Sequence, residues 1–138
     1  MRKPWQLLSL TVVFGFLLAS CAPAPRAVPA PDPVFFAAEP SEVMGTVILA
    51  ISTAPGLDDS GGWLITAADT QGGFVRAETD VVTPGGFLRS STVRTESVTI
   101  VVSPAGERRS QVVIQRTSGA EPLAERIQRE LRARYGLN

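Results

Sequence analysis

The sequence predicts a small α+β protein in which a single antiparallel sheet carries two helices on one face. Apolar residues recur at intervals of three and four over residues 43–51 and again over 123–135, which indicates two helices. Between them, three Gly-Gly pairs are each followed by an aromatic residue, a pattern typical of turns that lead into strands. The order helix, four strands, helix favours two layers, because both helices must bury their apolar sides against the sheet.

The first helix is predicted over Pro40–Ala54. Proline suits a first helical turn, and Pro55-Gly56 ends the apolar repeat. Leucine and alanine also occupy several of the remaining positions, so the helix is apolar over much of its surface and we expect it to be buried.

Four strands of an antiparallel meander are predicted to follow the helix. The Gly-Gly pairs are eleven and thirteen residues apart, a spacing that suits a meander. We place the strands at Trp63–Asp69, Phe74–Val82, Phe87–Ser103 with a bulge or break near Ser90-Ser91, and Ser110–Thr117. Apolar and polar residues alternate in the last two strands, so one sheet face is more apolar than the other, which is left open.

The last helix is predicted to end at Gly136. Ser118 and Glu121 have the spacing of a capping box, and an apolar stripe at intervals of four continues from Leu123 to Tyr135. The folded domain is therefore expected over residues 40–138, with both helices on the same sheet face.

The first twenty residues have the pattern of a secretory signal peptide. Arg2 and Lys3 precede twelve uncharged residues at positions 7–18. That run is shorter than the roughly 20 residues of a membrane-spanning helix but fits the roughly 7–15 of a signal h-region. The following Leu18-Ala19-Ser20-Cys21 resembles the lipobox of bacterial lipoprotein precursors. The resemblance implies cleavage before Cys21, a diacylglyceryl thioether on its sulfur and often an acyl group on the new amine.

Two alternatives to lipid attachment are an ordinary signal cleaved near Ala19-Ser20 and an uncleaved anchor with a chance cysteine. Cys21 is the only cysteine of the chain and lies where the lipobox requires it, which favours attachment. Ala22 follows it. In lipoproteins a second mature residue other than Asp points to the outer membrane, so the resemblance implies anchoring on the periplasmic face of that membrane.

Residues 21–39 are predicted to be a lipidated cysteine followed by a Pro/Ala-rich linker. Six of the nineteen residues from Ala22 to Pro40 are proline, which favours an extended path that reaches up to roughly 60 Å. Phe35 and Phe36 interrupt the pattern, and we expect them to pack onto the folded domain. From Pro40 to Tyr135 the predicted topology loosely resembles the helix-grip domains of the C subunit of the outer-membrane β-barrel assembly machinery and of other small envelope lipoproteins. That resemblance rests on no motif and carries no site residue.

The composition removes most catalytic constellations. The chain has no histidine, one cysteine and a single lysine, Lys3, and its formal net charge is zero. Histidine-based triads, multi-cysteine zinc sites and internal disulfides are thereby excluded, and nucleic-acid binding is disfavoured. We therefore expect no enzyme, no cofactor and no metal site. One catalytic alternative remains, a carboxylate-dependent hydrolase that uses acids in or beside the first hairpin, namely Asp58, Asp59, Asp69, Glu78 and Asp80.

The turn around Gly85-Gly86 is flanked by large apolar residues instead of polar ones. Val82, Phe87 and Leu88 are therefore the candidate partner contacts. The alternative is that Val82 and Phe87 form a cross-strand pair that faces the core.

The function predicted from these features is that of a membrane-anchored, non-enzymatic envelope lipoprotein. It would be held to the membrane by the lipid on Cys21 and would bind another envelope protein through the open sheet face or the apolar turn. A carrier that holds an apolar ligand or lipid between the helix layer and the sheet is the alternative, and the hydrolase is a third.

Overall fold

The computed structural model describes residues 31–58, 61–87 and 89–136, and it confirms an α+β fold with one antiparallel sheet and two helices. The five strands are β1 (Val34–Phe36), β2 (Leu64–Asp69), β3 (Phe74–Thr83), β4 (Thr92–Pro104) and β5 (Ser110–Arg116). The helices are α1 (Pro40–Ser52) and α2 (Glu121–Tyr135), and a 3-10 turn over Ser118–Ala120 precedes α2. The strands lie in the order β1-β5-β4-β3-β2.

The core lies between one face of the sheet and both helices. Along β4 the side chains of Val98, Ile100 and Val102 are buried, whereas Val101 between them is exposed on the opposite face. Val43, Val47 and Ile51 of α1 and Leu123, Ile127 and Leu131 of α2 join these residues in one apolar cluster between the layers.

A polar contact joins the two helices at the end of α2. The hydroxyl of Tyr135 lies 2.9 Å from the carbonyl oxygen of Glu42, to which it donates a hydrogen bond. The same hydroxyl lies 2.8 Å from Thr46 Oγ1. Tyr135 therefore fixes the last turn of α2 against the first half of α1.

The sheet has five strands instead of the four predicted, because residues assigned to the linker form β1. Val34 pairs with Val112 and Phe36 pairs with Ser110 along the edge of β5. Phe36 is 1% exposed, and Ser110 Oγ donates a 2.6 Å hydrogen bond to the carbonyl oxygen of Ala38. The proline-rich residues before β1 favour an extended path without sheet pairing. The burial of Phe36 and the pairing with the open edge of β5 nevertheless make residues 34–36 a strand.

Two local predictions differ from the structure. β4 begins at Thr92 instead of Phe87, because residues 84–91 form the connection between β3 and β4. Ser118 makes no capping hydrogen bond, and it lies in the 3-10 turn that leads into α2. A carboxylate from β4, that of Glu96, accepts the hydrogen bond from the backbone N–H of Gly119 in this turn.

Replacement of Phe36 by alanine tests whether β1 belongs to the folded domain. We expect the free energy of unfolding of Phe36→Ala to fall by about 3–5 kcal/mol, because a buried aromatic side chain is lost and a cavity remains. Phe35→Ala is the matched control, since Phe35 lies on the other face under the guanidinium of Arg109, 4.8 Å from its ring centre. The free energy of unfolding of Phe35→Ala should fall by only about 1 kcal/mol. Equal losses of unfolding free energy in the two variants, measured by urea denaturation, would contradict the assignment of β1.

Candidate functional site

β3 and β4 continue beyond the rest of the sheet as a two-stranded ribbon. The pairing of β2 with β3 begins at Leu64 and Glu78, and the pairing of β4 with β5 ends at Val98 and Arg116. Beyond these points the pairs from Thr79–Glu96 to Thr83–Thr92 have no further strand beside them among the described residues. We call residues 79–96 the ribbon; its connecting segment is 84–91.

The ribbon exposes three large apolar side chains near its end. Val82 and Val93 are directly opposite each other on the open face of the sheet, where they are 43% and 63% exposed. Phe87, in the connecting segment, is fully exposed. A cross-strand valine pair covers little apolar area by itself, so this part of the ribbon presents an apolar surface to solvent.

Polar contacts hold the ribbon at two levels. Asp58, in the loop before β2, accepts a hydrogen bond of 3.2 Å from the backbone N–H of Val82. Thr95 Oγ1 donates a hydrogen bond of 2.7 Å to Asp80 across the two strands. The ribbon is therefore tied to the domain along one edge, while its end remains uncovered.

The base of the ribbon contains a buried carboxylate, Glu96, which is 2% exposed. The hydroxyl of Thr117 donates a hydrogen bond to Glu96 Oε2, and the backbone N–H of Gly119 donates another at 3.0 Å. Arg94 forms an ion pair with the other carboxylate oxygen. Glu96 thus joins β4 to the 3-10 turn that begins α2.

A side chain at position 119 would force the carboxylate of Glu96 to shift. A Cβ at that position would lie 2.5 Å from the carboxyl carbon of Glu96, which is far inside van der Waals contact. The missing side chain allows the backbone N–H to reach the carboxylate.

The hydrogen bond from Thr117 lowers the pKa of Glu96 below its ordinary value. Burial raises that pKa, but the further hydrogen bond from Gly119 and the charge of Arg94 lower it, and the sum is a lowered pKa. Glu96 is therefore ionised in the folded protein at neutral pH.

The residues predicted for the site fall into two groups. Val82 and Phe87 lie on the exposed ribbon, but Val82 pairs with Val93 and not with Phe87, so the cross-strand pair facing the core is not formed. Cys21 and Leu88 lie outside the described residues, as does Asp59. Val93 was missed because the predicted strand began too early, which obscured its position opposite Val82.

The acidic residues around the first hairpin are engaged with neighbours. Asp69 accepts hydrogen bonds from the backbone of its own turn, and Glu78 pairs with Arg76 at 2.7 Å. Glu78 and Asp80 line one shallow depression on the open face, so the hydrolase alternative has two acids on a single surface. Glu78 is half-buried and Asp80 is exposed.

A second surface feature is a half-open groove of about 340 Å³ where the end of α1 meets the start of α2. Trp63, Leu57 and Leu123 contribute its apolar side, and Arg126 and Arg129 lie at its rim. The sequence predicted core or strand positions for Leu123 and Trp63 but no groove, because the two sides of the groove come from segments that are distant along the chain.

Comparison of the chain with protein-family models, with curated proteins and with solved structures gives no match. Within residues 31–58, 61–87 and 89–136, no three acidic or cysteine side chains are grouped closely enough to hold a metal ion. Neither of the two described helices is both long and apolar enough to cross a bilayer. The end of the ribbon and the groove between the helices are therefore the features from which a function can be inferred.

The ionised state of Glu96 makes a prediction about acid stability. Since its pKa is lowered by folding, its contribution to stability is complete above the ordinary pKa of 4.5 and is lost as the pH falls through the lower folded value. Glu96→Gln should lower the melting temperature at pH 7 and flatten the fall in stability below pH 4.5.

The control for that experiment is Glu107→Gln, which changes an exposed glutamate in the loop between β4 and β5. Its thermal unfolding, followed by circular dichroism, should match that of the unmodified protein at each pH. An unchanged acid profile in Glu96→Gln would show that Glu96 does not stabilise the fold as an anion.

Proposed function

We propose that the protein is a lipid-anchored adaptor of the bacterial envelope, which binds another envelope protein through the end of the ribbon. The single observation that carries the proposal is the full exposure of Phe87 beside an exposed valine pair. Large aromatic side chains at a projecting end are typical anchors of protein interfaces, since they bury much apolar area when a partner covers them.

The geometry of the ribbon supports contact with a partner better than a role in folding. Its apolar end lies beyond the paired part of the sheet, whereas the core between sheet and helices is formed by other residues. Exposed apolar groups in a monomer reduce solubility without a gain in stability, so a partner that covers them accounts for their presence.

The proposed anchor is the lipid on Cys21, which follows from the lipobox resemblance. The described domain begins after that cysteine, and the intervening residues are rich in proline. We propose that these residues separate the domain from the bilayer, because proline favours an extended path. The adaptor would therefore meet its partner near, but not within, the membrane surface.

Replacement of Phe87 by serine tests the contact. We expect Phe87→Ser to abolish capture of the partner in pull-downs from intact envelopes, while the melting temperature stays within about 1 °C because no buried contact is lost. Leu49→Ser is the matched control, since Leu49 is also exposed, at 54%, but lies on α1.

A photo-crosslinker at position 87 identifies the partner directly. One specific crosslinked protein at position 87, absent when the crosslinker is at position 49, would support the proposal. Crosslinks of equal pattern at both positions, or a large loss of stability in Phe87→Ser, would contradict it.

The anchor is tested separately by mass spectrometry of the native protein. We expect an N-terminal Cys21 whose mass includes a diacylglyceryl group, and we expect Cys21→Ser to leave the membrane fraction. An unmodified sulfur, or a different first residue, would refute anchoring through this cysteine.

A further inference from the structure

The groove between the end of α1 and the start of α2 combines an apolar side with two arginines, Arg126 and Arg129. Its volume of about 340 Å³ is at the lower end of the range for small-ligand pockets, about 300–1,000 Å³. Trp63, Leu57 and Leu123 form its apolar part. A pocket of this size accommodates one large apolar side chain or a ligand of similar size.

One buried donor at the groove makes no hydrogen bond. Arg126 Nε lies 3.0 Å from Glu130 Oε1 in an ion pair, but without hydrogen-bond geometry. Buried arginine donors are normally paired, so an acceptor from outside the chain would complete the hydrogen bonding of Arg126 Nε.

The charge at the rim favours an anionic acceptor. Arg126 and Arg129 face a single acid, Glu130, which leaves one positive charge in excess. Arg129 forms no ion pair within the described part of the chain, whereas Arg126 is partly neutralised by Glu130. A carboxylate that paired with Arg129 would also supply oxygens to the neighbouring donors.

We propose that this groove binds the C-terminal residue of a peptide or protein that ends in a large apolar side chain. The terminal carboxylate would pair with Arg129 and accept a hydrogen bond from Arg126 Nε, and the side chain would lie against Trp63. The groove is open on one side, which suits one residue at the end of a longer chain. A long acyl chain instead requires an enclosed apolar cavity to bury most of its length.

The proposal goes beyond the function proposed for the ribbon, because it concerns different residues. The probes are N-acetylphenylalanine and its C-terminal amide, which differ only in the carboxylate. The lipidated protein is held in nanodiscs, and the variant Trp5→Phe makes Trp63 the only tryptophan whether or not the residues before Cys21 have been removed. Fluorescence of Trp63 should change on titration with the acid, and the amide should bind about tenfold more weakly, the value of one charged hydrogen bond.

Arg129→Gln in the same background should weaken binding of the acid about tenfold and leave binding of the amide unchanged. Arg132→Gln is the matched control, since this exposed arginine of α2 is outside the groove, and it should bind both probes normally. Phe87→Ser should also bind both probes normally, which separates this test from that of the ribbon.

Three results would overturn the inference. They are equal binding of acid and amide, no effect of Arg129→Gln, and no fluorescence change with either probe. Tighter binding of octanoate than of N-acetylphenylalanine would assign the groove to an acyl chain and would overturn it as well.

Discussion

The architecture depends on the difference in length between the strands and the helices that cover them. β4 has 13 residues, which extend for about 44 Å, whereas the 13 residues of α1 extend for about 20 Å. Two such helices cover the apolar face over Val98 to Val102 but not the far end of β3 and β4. The ribbon is the part of the sheet that the two helices do not cover.

Glu96 lies at the boundary between the covered and the projecting parts of β4. A carboxylate without partners at this position would be destabilising, because the surrounding residues exclude its hydration. The hydroxyl of Thr117 and the N–H of Gly119 replace that hydration, and both belong to the turn that leads into α2. The acid therefore joins the start of the second helix to the base of the ribbon.

The apolar repeats and the Gly-Gly turns together predicted both helices and four of the strands, with small differences in their bounds. β1 was missed because its three residues follow a proline-rich stretch, and only tertiary packing of Phe36 makes them a strand. Exposure of Val82 and Phe87 was one of two alternatives that the sequence left open. The burial of Glu96 and the groove were not predicted, because Thr117 and Gly119 are more than twenty residues from Glu96 and the two sides of the groove are distant along the chain.

The apolar area at the end of the ribbon is small, and its neighbours limit nonspecific association. On the same face of the sheet, the next cross-strand pair is Asp80 and Thr95, and Arg94 follows Val93 along β4. Charged and hydroxyl groups on an open strand pair oppose edge-to-edge aggregation, so the surface suits a selective contact of modest affinity. A lipid anchor on Cys21 would compensate for that affinity, because a tether raises the effective concentration of the ribbon near partners in the same membrane. In the proposed function, a small apolar contact and a permanent anchor would therefore complement each other.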